Sequence, residues 1–325
     1  MLNDLAFCTS VWGLPAGSLP MLLYNSRENG IKMRKKNVQK KKFYIGDIFR
    51  IIVLLIALSV LLYPTVSNYL YEKNGARVIS YYDENAVRLS ESEKQAMLEA
   101  ARQYNRELLG NIELLDPFSP LKKEVDARYQ SLLNTNEAGM MGYIRIPKID
   151  VELPIYHGTE ERILQSGVGH FEGTSLPVGG ESSHTVLTGH RGLPSKLLFT
   201  DLDQMKEGDI FYLKILGETF AYKIDQILTV LPENTKALTI EPGKDYATLV
   251  TCTPYAVNTH RLLVRGIRIP YEEAVRQVPD EKITPTLPFQ VKVLLAAIGV
   301  LVLIFIVYQL WKKTRKRKEM RRKRK

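Results

Sequence analysis

Apolar and polar positions follow three different patterns along this chain. Near each end lies a run with no charge at all. Ile51 to Tyr63 is a dense apolar stretch that Pro64 interrupts, and the chain stays uncharged to Tyr71. Val293 to Trp311 is a second uncharged run, bracketed by Lys292 and Lys312, with Tyr308 and Trp311 at one end. At about 1.5 Å per helical residue, a run of about 20 residues crosses the hydrocarbon core of a bilayer. The first dense stretch also has the length of a signal-peptide core, but no small-residue cleavage pattern follows it. An uncleaved anchor is therefore expected.

The second pattern is helical. Between Asn85 and Leu109, apolar residues recur at roughly helical spacing, from Val87 and Leu89 through Met97, Ala101 and Tyr104 to Leu108. Ser90 with Glu93 forms a candidate capping box, so the helix can begin there. Leu115-Asp116-Pro117-Phe118-Ser119-Pro120 is a proline-broken loop, and Lys122 to Asn134 suggests a short helix after it.

From Gly142 the alternation has a period of two. Gly142–Pro147, Ile149–Ile155, Thr185–Leu187, Ile210–Leu216, Thr219–Ile227, Ala247–Thr251 and Leu262–Ile269 read as strands separated by Gly, Pro, Asn and Asp. Gly217-Glu218 is a candidate two-residue hairpin turn. Short strands with irregular connections predict an antiparallel barrel or sandwich. The fold class is mainly β, with a helical extension before the barrel or sandwich and a membrane helix on either side.

Charge changes this picture in one respect. The 325 residues carry 45 Lys and Arg against 35 Asp and Glu, a net of +10. Lys32–Lys42 holds +7 and Lys312–Lys325 another +10, which leaves the rest at −7. The basicity therefore flanks the apolar runs instead of forming a nucleic-acid surface, and no nucleic acid is expected as a partner. The positive-inside rule puts both basic clusters in the cytoplasm, beside membrane lipid, and the region of about 72–290 outside. The implied organisation is a cytoplasmic N-terminus at 1–42, an anchor at 43–71 and a helical extension at 72–139. A mainly β domain at 140–280, a linker and second membrane helix at 281–311 and a basic tail at 312–325 follow. Residues 1–32 differ in texture from the rest. Met33 opens a typical basic segment and is a candidate start, which would make 1–32 an untranslated stretch; the alternative is a disordered cytoplasmic extension.

The candidate chemistry is sparse. Two cysteines exclude a disulfide scaffold, and five dispersed histidines without a cysteine pair give no metal-ligand spacing, so no metal is expected. Cys252 ends the run Ala247–Thr251, just before Thr253-Pro254-Tyr255. It is either a small buried hydrophobe or a nucleophile at a strand–loop junction. A strand–loop–strand hairpin through Asn258-Thr259-His260 can set Arg261 beside it, where a guanidinium could serve a developing oxyanion. A nucleophilic thiol also needs an acid/base. His190, among glycines just after a strand, leads the candidates. His184 alternates into a structural position, His157 and His170 lie in Gly-rich loops suited to backbone hydrogen bonds, and His260 points away from Arg261.

These residues resemble a known family. Thr248-Leu249-Val250-Thr251-Cys252-Thr253-Pro254-Tyr255, followed by Asn258-Thr259-His260-Arg261-Leu262-Leu263-Val264-Arg265-Gly266, is similar to the active-site signature of the sortases. The second part is similar to class C, the pilin-polymerising sortases of Gram-positive bacteria. Thr188-Gly189-His190-Arg191-Gly192 resembles the family's histidine motif, and Gly167 to Pro177 resembles a class C pattern. Ala256 departs from the family, which often has Gly there.

The resemblance implies an eight-stranded sortase barrel with an N-terminal helical and lid extension. It implies Cys252 as nucleophile, His190 as general acid/base and Arg261 as oxyanion stabiliser. It also implies a transpeptidation without cofactor. An LPXTG-like sorting signal would be cleaved through a thioacyl enzyme and joined to a pilin lysine. Asp116, Pro117 and Phe118 resemble the class C lid. Three alternatives differ from this reading: a housekeeping sortase that attaches proteins to peptidoglycan, a membrane-bound cysteine hydrolase, and a non-enzymatic adhesion protein. The second apolar run and the lid weigh against the housekeeping class.

Overall fold

The computed structural model describes residues 44–108, 114–119, 126–135 and 139–322. The expectations for residues 1–42 and for a helix start at Lys122 lie outside the described residues. The chain divides into two compact units, Met1–Ile51 and Ile52–Lys325. The first holds, among the described residues, only the beginning of α1. All that follows concerns the second.

Helix α1 spans Tyr44–Arg88 and continues through Pro64, so the boundary expected at residue 71 falls within one helix. Its segment Ile52–Arg88 is, among the described residues, the one helix long and apolar enough to cross a membrane. Helix α6, Phe289–Arg322, contains a shorter apolar piece at Val291–Val300. Among the described residues, then, the length and composition that mark a span belong to α1 alone, and the expected second span is not matched.

Helix α2, Glu91–Glu107, starts where the capping box places it. Ser90 N–H donates to Glu93 Oε2 at 2.8 Å, and Glu93 N–H donates to Ser90 Oγ at 3.3 Å. These bonds satisfy amides that have no partner within the helix. Leu98, Ala101 and Tyr104 form its buried stripe. Asn105 extends that contact with polar bonds: its amide donates to Leu176 O at 3.1 Å and accepts from Leu176 N at 2.7 Å. Helix α1 is pinned by Tyr82, whose hydroxyl donates to Met141 O at 2.7 Å and accepts from Leu216 N at 2.9 Å. A short helix α3, Ala127–Ser131, completes the extension.

Eight strands follow: β1 Met140–Ile146, β2 Val151–His157, β3 Val168–His170, β4 Ser183–Thr188, β5 Ile210–Ile215, β6 Glu218–Val230, β7 Asp245–Thr253 and β8 His260–Ile269. They close into a barrel in the order β1-β2-β3-β4-β7-β8-β6-β5. The barrel is mixed, not antiparallel as the pattern suggested. β2 pairs parallel with β3 across helix α4, Glu161–Leu164, and β4 pairs parallel with β7. Both parallel pairings need long crossovers, which alternation within single strands does not encode.

Strand β3 is the one strand of the barrel that the pattern missed, and the short helices α4 and, after the barrel, Tyr271–Gln277 were not expected either. Strand β3 has three residues, and a Cβ on its central Gly169 would lie 2.3 Å from Gly158 O, so glycine is required by close backbone approach. The β5–β6 turn is Leu216-Gly217, one residue earlier than expected, because Glu218 already pairs with Ile215. Both turn residues have positive φ, 52° and 88°, which suits the right-handed twist of a tight hairpin.

After helix α5, Tyr271–Gln277, the chain is tied back to the barrel. Asp280 accepts from Arg145, Lys214 and Tyr271, and Arg145 also pairs with Glu152. Buried charges persist only when paired in this way.

Candidate active site

Three strand ends build the site. Strands β4 and β7 run parallel, with Thr188 opposite Val250, so the residues just beyond Thr188 emerge beside the end of β7. Gly189 N–H donates to Val250 O at 3.0 Å, and Thr251 Oγ1 donates to Gly189 O at 2.8 Å. A Cβ at Gly189 would meet the Phe199 ring at 2.6 Å, so this glycine lets the loop close down over the core. His190 follows directly, and its carbonyl accepts from Phe199 N–H at 3.1 Å.

Strands β7 and β8 form an antiparallel hairpin in which Cys252 is the register partner of Arg261. The sequence expectation that a hairpin can set these two side by side is met. Cys252 belongs to the strand itself, one residue before its end, and is half-buried. Ala256, in the connecting loop, has φ 61°, the left-handed region that favours glycine. The loop therefore holds an alanine, with its methyl group, in a conformation that glycine adopts more readily.

Asp116, Pro117 and Phe118 lie over these groups. The carboxylate of Asp116 accepts from Arg261 Nε at 2.8 Å and from Arg261 Nη2 at 2.6 Å. This two-pronged geometry matches a planar guanidinium to a carboxylate. The Phe118 ring lies 5.0 Å from the Arg261 guanidinium carbon and 5.8 Å from the His190 ring. Phe118 also packs against the buried cluster formed by Val186, Leu238, Val250 and Leu263. A turn around Pro117 shapes the segment, with Ser119 N–H donating to Asp116 O at 2.8 Å. Thr235 Oγ1 secures its near end by donating to Leu114 O at 3.0 Å.

Burial pushes the Cys252 thiol up from its ordinary value, Arg261 pulls it down, and the Asp116 charge adds to the rise. In the covered arrangement the thiolate is therefore disfavoured, and Arg261 is shared with a carboxylate.

Three other histidines are buried and structural. His170 is fully buried, with Nε2 at 2.8 Å from Ser175 O and Nδ1 at 2.9 Å from the Tyr129 hydroxyl. It lies on β3 and not in a loop as expected. His184 bridges Thr239 O and Thr248 Oγ1 at 2.8 and 2.7 Å. Burial lowers both of these to about 4. His157, at the end of β2, contacts Gly139 O and Leu132 O, and burial lowers it too. His260 contacts its neighbour Thr259 at 2.9 Å.

Two residues at the site escaped sequence reasoning. Glu161, on α4, brings Oε2 to 3.1 Å from His190 Nε2. Gln165 donates to its other oxygen at 2.7 Å, and this bond above all holds the carboxyl below its usual range. Arg191 reaches Thr253 Oγ1 at 3.4 Å, pairs with Asp203 and lies 5.8 Å from the Tyr255 ring centroid. It therefore ties the histidine loop to the end of the cysteine strand. A lone Glu on a short helix is commonplace and had no sequence signal, and Arg191, though within the histidine motif, had no signal for these contacts. Among the described residues, no group of three or more His, Cys, Asp or Glu is arranged to hold a metal.

Residues 144–269 match the Sortase domain family model. Among solved structures, sortase C of Streptococcus pneumoniae is 49% identical, covers 60% of this chain and 97% of its own, and superposes with a TM-score of 0.56. A sortase C1 from Streptococcus agalactiae is 47% identical over 60% of this chain and 98% of its own, with a TM-score of 0.54. Sortase A of Streptococcus agalactiae is 35% identical over 131 residues, 39% of this chain. The chain spans about half the length of that curated relative, 52%. A closed eight-stranded mixed barrel with a cysteine–arginine pair at one end defines the class, and the chain belongs to the sortase family. Its solved neighbours named above are sortases of the C type.

Proposed function

We propose that this chain is a class C sortase, a membrane-anchored cysteine transpeptidase that builds covalent pili. The observation that carries this reading is the pairing of Cys252 with Arg261 under a lid made of Asp116 and Phe118. A similar chain, sortase C of Streptococcus pneumoniae, is described in connection with pilin substrate specificity. The housekeeping reading, attachment to peptidoglycan, has no comparable feature in its favour.

The chemistry follows from the groups present. With the lid open, the Cys252 thiolate attacks the Thr carbonyl of an LPXTG-like sorting signal on a pilin subunit. Arg261, released from Asp116, donates to the oxyanion that forms. The tetrahedral intermediate collapses with a C–S bond kept and the C–N bond broken, and His190 gives a proton to the departing amine. A pilin lysine amine then attacks the thioester. His190 takes its proton, the C–S bond breaks, and an isopeptide bond remains. Each step exchanges one acyl bond for another, so the reaction calls for no cofactor.

We assign residues 43–71 and 281–311 as membrane-anchoring segments with the linker, 72–139 as the helical lid extension and 140–280 as the catalytic barrel. The basic segments up to 42 and at 312–325 lie on the cytoplasmic side, against anionic lipid, with the barrel outside. Support comes from the charge pattern and from the apolar face of α1, where Leu54, Val60 and Leu61 are exposed.

The test is a reaction of the detergent-solubilised full chain with an LPXTG-like peptide and a lysine-bearing pilin peptide. A Cys252-linked acyl adduct and an isopeptide product are expected. Products that stay hydrolytic at saturating amine would replace the transpeptidase reading with a hydrolase. Acceptance of a peptidoglycan-type amine in preference to the lysine peptide would replace class C with the housekeeping class.

A further inference from the structure

The acid/base histidine is not alone at its outer edge. Glu161 Oε2 stands 3.1 Å from His190 Nε2. Glu161 is held in turn: its Oε1 accepts from Gln165 Nε2 at 2.7 Å. Gln165 is fixed by Lys196, whose Nζ lies 3.2 Å from Gln165 Oε1 and 5.2 Å from the centroid of the Tyr71 ring on α1. A carboxylate on a solvent-facing helix would ordinarily sample many rotamers. Here each of its oxygens has one partner, and the chain of contacts ends on a long helix that Tyr82 anchors to the barrel.

We propose that Glu161 is a positioning residue for the reaction, fixing the tautomer and orientation of His190. The inference rests on the reading of His190 as acid/base. A carboxylate accepts and cannot donate, so the hydrogen between the two groups belongs to Nε2. The neutral ring is then the Nε2–H tautomer, and Nδ1 is the nitrogen free to work. In acylation the Nδ1 proton passes to the leaving amine nitrogen as the C–N bond breaks, and the neutral ring left behind is already the tautomer Glu161 favours. In deacylation the attacking amine returns a proton to Nδ1 as the new C–N bond forms and the C–S bond breaks. Glu161 itself neither gains nor loses a proton. Its contribution is to hold the ring against rotation while the lid aromatic leaves: Phe118 packs 5.8 Å from the ring, and the Glu161 bond to Nε2 does not depend on it.

The test uses the full chain in detergent with the same two peptides, and compares wild type, Glu161→Ala and Glu161→Gln. Glu161→Ala should lower kcat about tenfold with KM changed less than about twofold, because geometry at the reacting proton is lost but substrate contacts are not. Glu161→Gln keeps an acceptor oxygen and should stay within about threefold of wild type. In chains with 15N-labelled histidine at mildly alkaline pH, the His190 signals, assigned by difference against His190→Ala, should report Nε2–H in wild type. They should report a tautomer mixture in Glu161→Ala. A wild-type kcat in Glu161→Ala, a loss confined to KM, or an unchanged tautomer would each overturn the proposal. If Glu161→Ala does not fold, Gln165→Ala frees the same carboxylate: a kcat loss of about two- to threefold with partial tautomer mixing is expected, and wild-type values for both overturn the idea. Cys252→Ala and His190→Ala are run in every arm. Turnover by either of those means the enzyme reading has failed, whereas their inactivity beside a fully active Glu161→Ala sinks the Glu161 proposal alone.

Discussion

Asp116 grips Arg261 with both carboxylate oxygens, while Arg261 is itself the register partner of Cys252. One ion pair therefore covers the candidate oxyanion donor and adds negative charge beside the thiol. The two side chains are 16% and 11% exposed, so the pair is partly shielded from water and stronger than a surface bridge.

The first prediction is kinetic. If the Arg261–carboxylate contact and the half-buried Phe118 together favour closure by about 2 kcal/mol, the open form is about 3% of the population. Asp116→Ala combined with Phe118→Ala should then speed modification of Cys252 by a neutral thiol reagent about 30-fold. Turnover of a short LPXTG-like peptide should rise in the same direction, with a small loss of stability. Wild-type values for both rates would make the segment a plain linker.

The second prediction concerns pH. The thiol is raised by burial and by Asp116 and lowered by Arg261. Asp116→Asn removes one raising influence and frees Arg261 to act on the sulfur. The pH profile of iodoacetamide labelling at Cys252 should therefore move to lower pH, since the thiolate is the reacting species. A profile that stays in place, or moves to higher pH, contradicts the electrostatic account.

The third prediction separates chemistry from fold. Cys252→Ala should abolish both acyl-enzyme and product while melting near the wild-type temperature. Arg261→Lys keeps a charge but loses the planar fork that meets Asp116 and the oxyanion, and should reduce kcat by about 100-fold or more. Near-normal turnover in either variant removes that residue from the mechanism.

Acid sensitivity supplies the fourth. His170 and His184 are lowered by burial to about 4, below the 6.5 of a free imidazole. The unfolded chain then binds protons that the folded chain refuses. Stability is full above about pH 6.5 and falls as pH drops from there toward 4. Between pH 7 and pH 5 each histidine should cost about 2 kcal/mol, read as a fall in the urea midpoint. His170→Gln should flatten that dependence whatever it does to the stability at pH 7. A midpoint independent of pH over this range would contradict the buried neutral assignment.

The fifth prediction is topological. A membrane-impermeant protease applied to intact protoplasts should cut within 72–290 and leave the Lys312–Lys325 tail uncut. Each basic residue near anionic headgroups contributes about 1 kcal/mol, so deleting the tail should loosen membrane placement without stopping catalysis in detergent. Cleavage of the tail from outside would reverse the proposed arrangement of the second apolar run.

Features carried by neighbouring residues were legible before any coordinates. The capping box at Ser90 and Glu93 is a local exchange of two hydrogen bonds, so four positions specify it. The hairpin that joins Cys252 to Arg261 is likewise local, because its short loop leaves little freedom of register. The motifs around His190 and Cys252 carried the family resemblance for the same reason. Tertiary structure alone decided the rest. The parallel pairing of β4 with β7, which delivers His190 to the end of the cysteine strand, joins segments that no nearby pattern links. Strand β3 is too short to show alternation, and only its neighbours on both sides make it a strand. Asp116 meets Arg261 across 145 positions and Glu161 meets His190 across 29. A carboxylate in a sequence carries no mark of which cation it will face; that choice is made when the barrel closes and brings separate loops to one rim.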